Sequence, residues 1–82
     1  MSHTITVYSR ADCHLCAEAL ATVRDVAASV DADVAVETVD VDGAPDLREA
    51  YGDRVPYVLV DGDPVAKIRV DPADLRSRLD GA

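Results

Sequence analysis

Thr4-Ile5-Thr6-Val7-Tyr8-Ser9-Arg10-Ala11-Asp12-Cys13-His14-Leu15-Cys16 holds both cysteines of this 82-residue chain, at the point where a strand pattern gives way to a helical one. The run up to Tyr8 alternates β-branched and polar residues, as a half-buried strand does. Ser9 to Asp12 is a short polar loop. Two sulfurs three positions apart at such a turn are close enough to bridge and exposed enough to react. They also lie against the positive end of a helix. The pattern predicts reversible disulfide chemistry with unequal roles. Cys13 precedes the helix, where unpaired amides and the dipole stabilise a thiolate, so it is the expected nucleophile. Cys16 sits one turn inside, on the edge of the apolar stripe, and is the expected resolving thiol.

Outward from this motif, the first strand is expected over about His3 to Tyr8. A helix follows from about His14 to Val30, with Leu15, Ala19, Leu20, Val23, Val26, Ala27 and Val30 on one stripe, ended by Asp31-Ala32-Asp33. Val34 to Val41 reads as a second strand. Gly43-Ala44-Pro45-Asp46 opens a short helix that Gly52 terminates. Tyr57 to Val60 forms a third strand, Asp61-Gly62-Asp63-Pro64 a turn, and Val65 to Val70 a fourth strand. Asp71-Pro72-Ala73-Asp74 caps and starts a last helix, anchored by Leu75 and Leu79. The order β-α-β-α-β-β-α predicts one α/β domain spanning residues 1–82. Its first half is a parallel βαβ unit and its second half contains a hairpin. Together they make a four-stranded mixed sheet with helices on both faces.

Nearly half the residues are apolar, which argues against disorder, and with no Phe or Trp the core must be aliphatic. No apolar run reaches the length of a membrane span and no signal-peptide pattern opens the chain, so a cytoplasmic location is expected. There, a lone cysteine pair is more often catalytic or metal-binding than a permanent staple. Sixteen acids against eight bases give a net charge of −8, and thirteen of the acids are Asp. Such a surface repels nucleic acid and anionic membrane. Abundant Asp with Lys67 as the only lysine also fits a protein of concentrated salt, where self-repulsion is screened.

Four further positions stand out around the pair. Arg10, three residues before Cys13, would favour a thiolate, whereas Asp12 would oppose it. His14, between the cysteines, would stabilise a thiolate when protonated. Pro56 opens an apolar strand where it cannot join the middle of a ladder. A cis Val55-Pro56 bond would leave a backbone edge free, on which an extended substrate could pair beside Cys13. Tyr8, ending the first strand, is the tyrosine expected to border the site. His3 is expected to be an exposed strand-start residue.

The chain resembles the glutaredoxin-like branch of the thioredoxin superfamily. The resemblance rests on Thr6 to Cys16 and on Tyr51-Gly52-Asp53-Arg54-Val55-Pro56-Tyr57-Val58-Leu59-Val60-Asp61-Gly62, and it covers nearly the whole chain. It implies a thioredoxin-like fold of the glutaredoxin type and a thiol-disulfide oxidoreductase without cofactor. Cys13 would be the nucleophile, Cys16 the resolving thiol, and Val55-Pro56 the substrate-pairing edge, with Arg54 where the family usually carries Thr. His14 and Leu15 replace the family's usual Pro and aromatic. Val70-Asp71-Pro72 stands where a Gly-Gly turn usually offers amides to the carboxylate of glutathione. Asp71 can cap the helix itself and Pro72 removes a donor, so glutathione is disfavoured. Protein disulfides or another low-molecular-weight thiol are the expected partners.

A competing class is a carrier or binding module for a soft metal, Cu(I) or Zn, using the same two thiols. Zinc usually wants four protein ligands, and the chain offers two sulfurs and two imidazoles. A copper-carrying domain would want two consecutive strands after the first helix. A cluster shared between chains would need thiols from outside. No metal is therefore expected, and with no large apolar surface evident a monomer is expected. The acidic composition makes one prediction of its own: the melting temperature rises from dilute buffer to molar salt. A lower melting temperature in molar salt would remove the concentrated-salt reading.

Overall fold

A computed structural model describes residues 2–31 and 33–80. Eight residues, with Ile5, Val7 and Tyr8 as the apolar β-branched or aromatic side chains, form β1 (Ser2–Ser9), which pairs on both sides. Then come α1 (His14–Ser29), β2 (Asp33–Asp40), a 3-10 turn (Val41–Gly43), α2 (Pro45–Tyr51), β3 (Tyr57–Val60), β4 (Asp63–Lys67) and α3 (Pro72–Asp80). The sheet order is β2-β1-β3-β4. β1 runs parallel to β2, with Ser9 opposite Asp40, and antiparallel to β3, with Tyr8 opposite Tyr57. The element order and the mixed sheet are those expected. Ala32, part of the expected helix-ending signal, and Met1 lie outside the described residues, as do Gly81 and Ala82.

One face of the sheet carries the core. Ile5 and Val7 of β1 and Val58 and Val60 of β3 meet Val23 and Val26 of α1 and Leu75 and Leu79 of α3. Burying each such side chain contributes roughly 1.5–3 kcal/mol, which is why α1 and α3 share this face. Tyr8 and Tyr57 point to the opposite face, where Tyr51 of α2 stacks on Tyr8 with ring centroids 4.5 Å apart. The helices thus lie on both faces, but unequally: α2 buries no residue.

The buried stripe of α1 is Cys16, Ala19, Val23 and Val26. Leu15 is a position early for that stripe and is 41 % exposed. Gly52 closes α2 through its N–H on the Arg48 carbonyl, but its φ of −53° is helical rather than left-handed. Glycine is needed there because a Cβ would run into the Arg48 carbonyl oxygen.

The hairpin departs from the expected boundaries. Its turn is Asp61-Gly62 alone, with φ of 52° and 88°, the two positive values that a tight two-residue hairpin requires. β4 therefore starts at Asp63 and takes in Pro64, which an edge strand tolerates. It ends at Lys67 because Ile68 turns the chain at a φ of 68°. His3, expected to be idle, bonds through Nδ1 to Asp61 Oδ2 at 2.7 Å, and Asp61 Oδ1 accepts the Thr4 N–H. These bonds tie the hairpin turn to β1, and the His3 contact first of all holds the Asp61 carboxyl below its ordinary range.

Leu75→Ala removes a side chain only 2 % exposed and is expected to cost about 2–5 kcal/mol. Leu15→Ala is expected to stay within about 0.5 kcal/mol. Denaturant unfolding of the oxidised protein checks both, and equal losses would put Leu15 in the core.

Candidate active site

The two pairings of β1 send three segments to the same end of the sheet: the loop after Ser9, the turn after Asp40, and Val55-Pro56 ahead of Tyr57. Cys13 caps α1 in an extended conformation, and its Sγ accepts the Cys16 N–H at 3.2 Å. The first turn of α1 holds no acid. Cys13 and Cys16 form a disulfide with Cα atoms 5.2 Å apart. Cys16 is buried at 3 % exposure, whereas Cys13 is half-buried. An open pocket of about 540 Å³ lies over the pair, with Ser9, Arg10, Asp12, His14 and Leu20 in its walls. One sulfur is thus presented to solvent at a helix N-terminus and its partner lies behind it, an arrangement consistent with redox function.

The chain belongs to the glutaredoxin-like family. The family model for the Glutaredoxin-like domain (DUF836) matches residues 4–80. An uncharacterized protein of Mycobacterium tuberculosis is 32% identical over 80 residues, covering 92% of this chain and 80% of that protein. An X. campestris crystal structure superposes with a TM-score of 0.74 at 32% identity, covering 95% of this chain and 97% of its own. A Nitrosomonas europaea protein solved in solution gives 0.75 at 26% identity, covering 93% and 89%. A thioredoxin variant from Halobacterium salinarum gives 0.64 at 27% identity, covering 93% and 70%. The fold is thioredoxin-like, of the glutaredoxin type.

Arg10 reaches the pocket wall, but its guanidinium is engaged elsewhere. Nε lies 3.1 Å from Asp42 Oδ2, and a terminal nitrogen donates to the Gly52 carbonyl at 3.3 Å. Arg48 Nε shares the same carboxylate at 3.2 Å. The Arg10 hydrogen bond is the main reason the Asp42 carboxyl is held below its usual range. Asp42 was missed in the sequence because 32 residues separate it from Arg10. Nothing in the sequence announces the pair: only the register, with Ser9 opposite Asp40, makes the residues just beyond the two strands neighbours.

His14 is exposed, and its Nε2 lies 3.2 Å from Glu18 Oε1, one turn along α1. Asp12 adopts a left-handed φ of 58°, which Asp tolerates better than most residues. Tyr8 lies in the tyrosine cluster, with Tyr57 6.4 Å away, and Ser9 forms the pocket wall beside the pair. The Val55-Pro56 bond is cis. Pro56 is buried and its carbonyl accepts the Ile68 N–H at 2.7 Å. Among the described residues, the backbone N–H and C=O of Val55 take no backbone partner. Arg54 is exposed, with its N–H on the Tyr51 carbonyl.

Among the described residues no three His, Cys, Asp or Glu side chains converge on a metal-sized site. The single strand between α1 and α2 also departs from the consecutive strands a copper-carrying domain requires.

Asp42 supplies a pH test. A carboxyl whose folded value is depressed contributes stability that is present above its ordinary value, 3.8, and is lost as pH falls through the folded value. The melting-temperature gap between the protein and Asp42→Asn should hold steady from neutral pH to about pH 5 and close below pH 4. A gap unchanged down to pH 2 would show that the Arg10 and Arg48 contacts contribute nothing.

Proposed function

We propose that the protein is a cytoplasmic, monomeric thiol-disulfide oxidoreductase working through Cys13 and Cys16 without a cofactor. The observation that carries this reading is the Cys16 N–H on Cys13 Sγ at the head of α1, with Cys16 buried behind it. In the dithiol form the same amide stabilises a Cys13 thiolate. That thiolate attacks one sulfur of a substrate disulfide and expels the other as a thiolate, which takes up a proton. Cys16 gives up its proton and attacks Cys13 Sγ, releasing the second substrate thiolate. Two electrons pass to the substrate, whose two thiolates are protonated by the Cys16 proton and one from solvent, and the Cys13–Cys16 disulfide remains. The reverse sequence oxidises a substrate dithiol.

Glutathione is disfavoured as the partner. Asp71 Oδ1 accepts the Ala73 N–H at 3.0 Å and the Asp74 N–H at 3.5 Å. Pro72 supplies no amide at all. The amides that could receive a small thiol's carboxylate are therefore filled from within the chain. Protein disulfides are the favoured substrates, and Val55, with its unpaired backbone, is the edge on which they would lie.

Turnover of a disulfide substrate by the parent, Cys13→Ser and Cys16→Ser separates the roles. Cys13→Ser should be inactive. Cys16→Ser should accumulate a mixed disulfide on Cys13, visible by mass spectrometry. Parental turnover by Cys13→Ser would refute the assignment, and tight Cu(I) binding by a parent that shows no turnover would favour a carrier.

A further inference from the structure

Leu15 and Ile68 are the two large apolar side chains left exposed among the described residues, each at 41 %. Both line one groove of about 540 Å³ between α1 and the segment 68–70, beside the cysteine pair. Leu15 is placed there because it lies between the cysteines, one position off the buried stripe. Ile68 is placed there at a cost. Its φ is 68°, and the Arg69 N–H donates to the Lys67 carbonyl at 2.7 Å, so the chain makes a tight positive-φ γ-turn centred on a β-branched residue. Such turns are rare and strained. The bond from the Ile68 N–H to the Pro56 carbonyl holds the turn against the proposed substrate edge. A residue free to choose its conformation here would be glycine.

Charge completes the description. Arg69 lines the groove next to Ile68 and has no carboxylate partner among the described residues. Arg24 and Arg76 also lack one, so what sets Arg69 apart is its place in the groove beside the exposed apolar pair. Glu18 also lines the groove, but its carboxylate lies against His14. Arg54 and Lys67, on either side of the Pro56–Ile68 junction, are likewise without carboxylate partners among the described residues.

We propose that this groove selects the substrate: a protein segment in which the reacting cysteine is flanked by a bulky apolar residue and an acidic one. The apolar residue seats between Leu15 and Ile68, and the acid meets Arg69. This rests on the thiol-disulfide reading of the preceding section and names its substrate class. A small thiol would leave the apolar pair uncovered, and a basic segment would leave Arg69 opposed by like charge.

The test uses reduced protein and synthetic peptides whose cysteine is capped as a mixed disulfide with 2-mercaptoethanol. Cys13 attacks the capped disulfide and expels 2-mercaptoethanol, or the peptide, as a thiolate. Cys16 then closes the protein disulfide and releases the other thiol, so each turnover consumes one dithiol and one disulfide. The second-order rate with a Leu- and Glu-flanked peptide should exceed that with a Ser- and Lys-flanked one at least tenfold. Ile68→Gly, which relaxes the positive φ and so should fold, is expected to lose most of the preference for Leu. Arg69→Glu should reverse the preference between Glu and Lys. Because each readout is a ratio of two peptides on one protein, a general loss of activity cancels. Equal rates for all peptides with the parent would overturn the inference and leave the oxidoreductase reading standing. Failure to react with any peptide, or with 2-hydroxyethyl disulfide, would overturn both. Sedimentation showing a dimer that Ile68→Gly dissociates would assign the groove to a second copy of the chain instead.

Discussion

β1 pairs in opposite senses on its two sides, and the rest of the molecule depends on that. The parallel ladder to β2 needs a crossover, which α1 provides, so the chain must leave β1 at the end where α1 begins. The antiparallel ladder to β3 brings the start of β3 back to that same end. The cysteine loop, the Asp42 turn and Val55-Pro56 are neighbours for this reason, although most of the chain separates the first from the last. A one-residue slip in either ladder would turn Ile5 and Val7 out of the core, so burial and site assembly enforce the same register.

At the pair itself, the sequence points to the helix start, Arg10, Asp12 and His14 as influences on a Cys13 thiolate, and the first two differ in kind. The structure separates them. A hydrogen bond to a charged group contributes about 1.5–3 kcal/mol and a helix terminus about 0.3–1 kcal/mol. Both are available from the head of α1. Arg10 pairs with Asp42 and donates to the Gly52 carbonyl, and these contacts fasten the cysteine loop to the Asp42 turn and the end of α2. With about 30 mV per 1.4 kcal/mol, the amide alone is enough to move a potential by tens of millivolts.

How much could be read beforehand follows from the range of each interaction. The elements and the unequal burial of the two sulfurs depend on neighbours in sequence, where periodicity and capping rules act; Tyr8, expected to border the site, lies instead against Tyr51, and Ser9 takes the pocket wall. The Arg10–Asp42 pair and the His3–Asp61 contact join residues brought together by sheet register, and the tyrosine stack depends on how α2 packs on the sheet; composition carries no trace of them. Three- and four-residue steps include Leu15 in the apolar stripe. Its exposure is decided by the orientation of α1, which Cys16, Ala19, Val23 and Val26 set against the sheet. The end of β4 was misplaced for a different reason: nothing in Lys67-Ile68-Arg69 announces a left-handed residue, and β propensity argues for the opposite.

That last residue bears on partner choice when set beside α3. The first amides of α3 would be the natural receptor for an anion, but Asp71 occupies them and Asp74 is turned to Arg78 at 3.1 Å. The helix start is self-contained, and a small anionic thiol gains little by approaching it. One step upstream the same connection does the reverse. It leaves Arg69 without a carboxylate among the described residues and carries Ile68 in a conformation that costs energy yet leaves 41 % of it exposed. On the substrate reading proposed above, a connection that satisfies its polar groups internally while exposing an apolar one and a cation would receive a surface larger than a small thiol. The bond from Ile68 to Pro56 ties that surface to the edge beside the cysteines. On that reading, selection by shape and selection by charge would act on the segment that delivers the reacting sulfur, upstream of the proposed chemistry at Cys13.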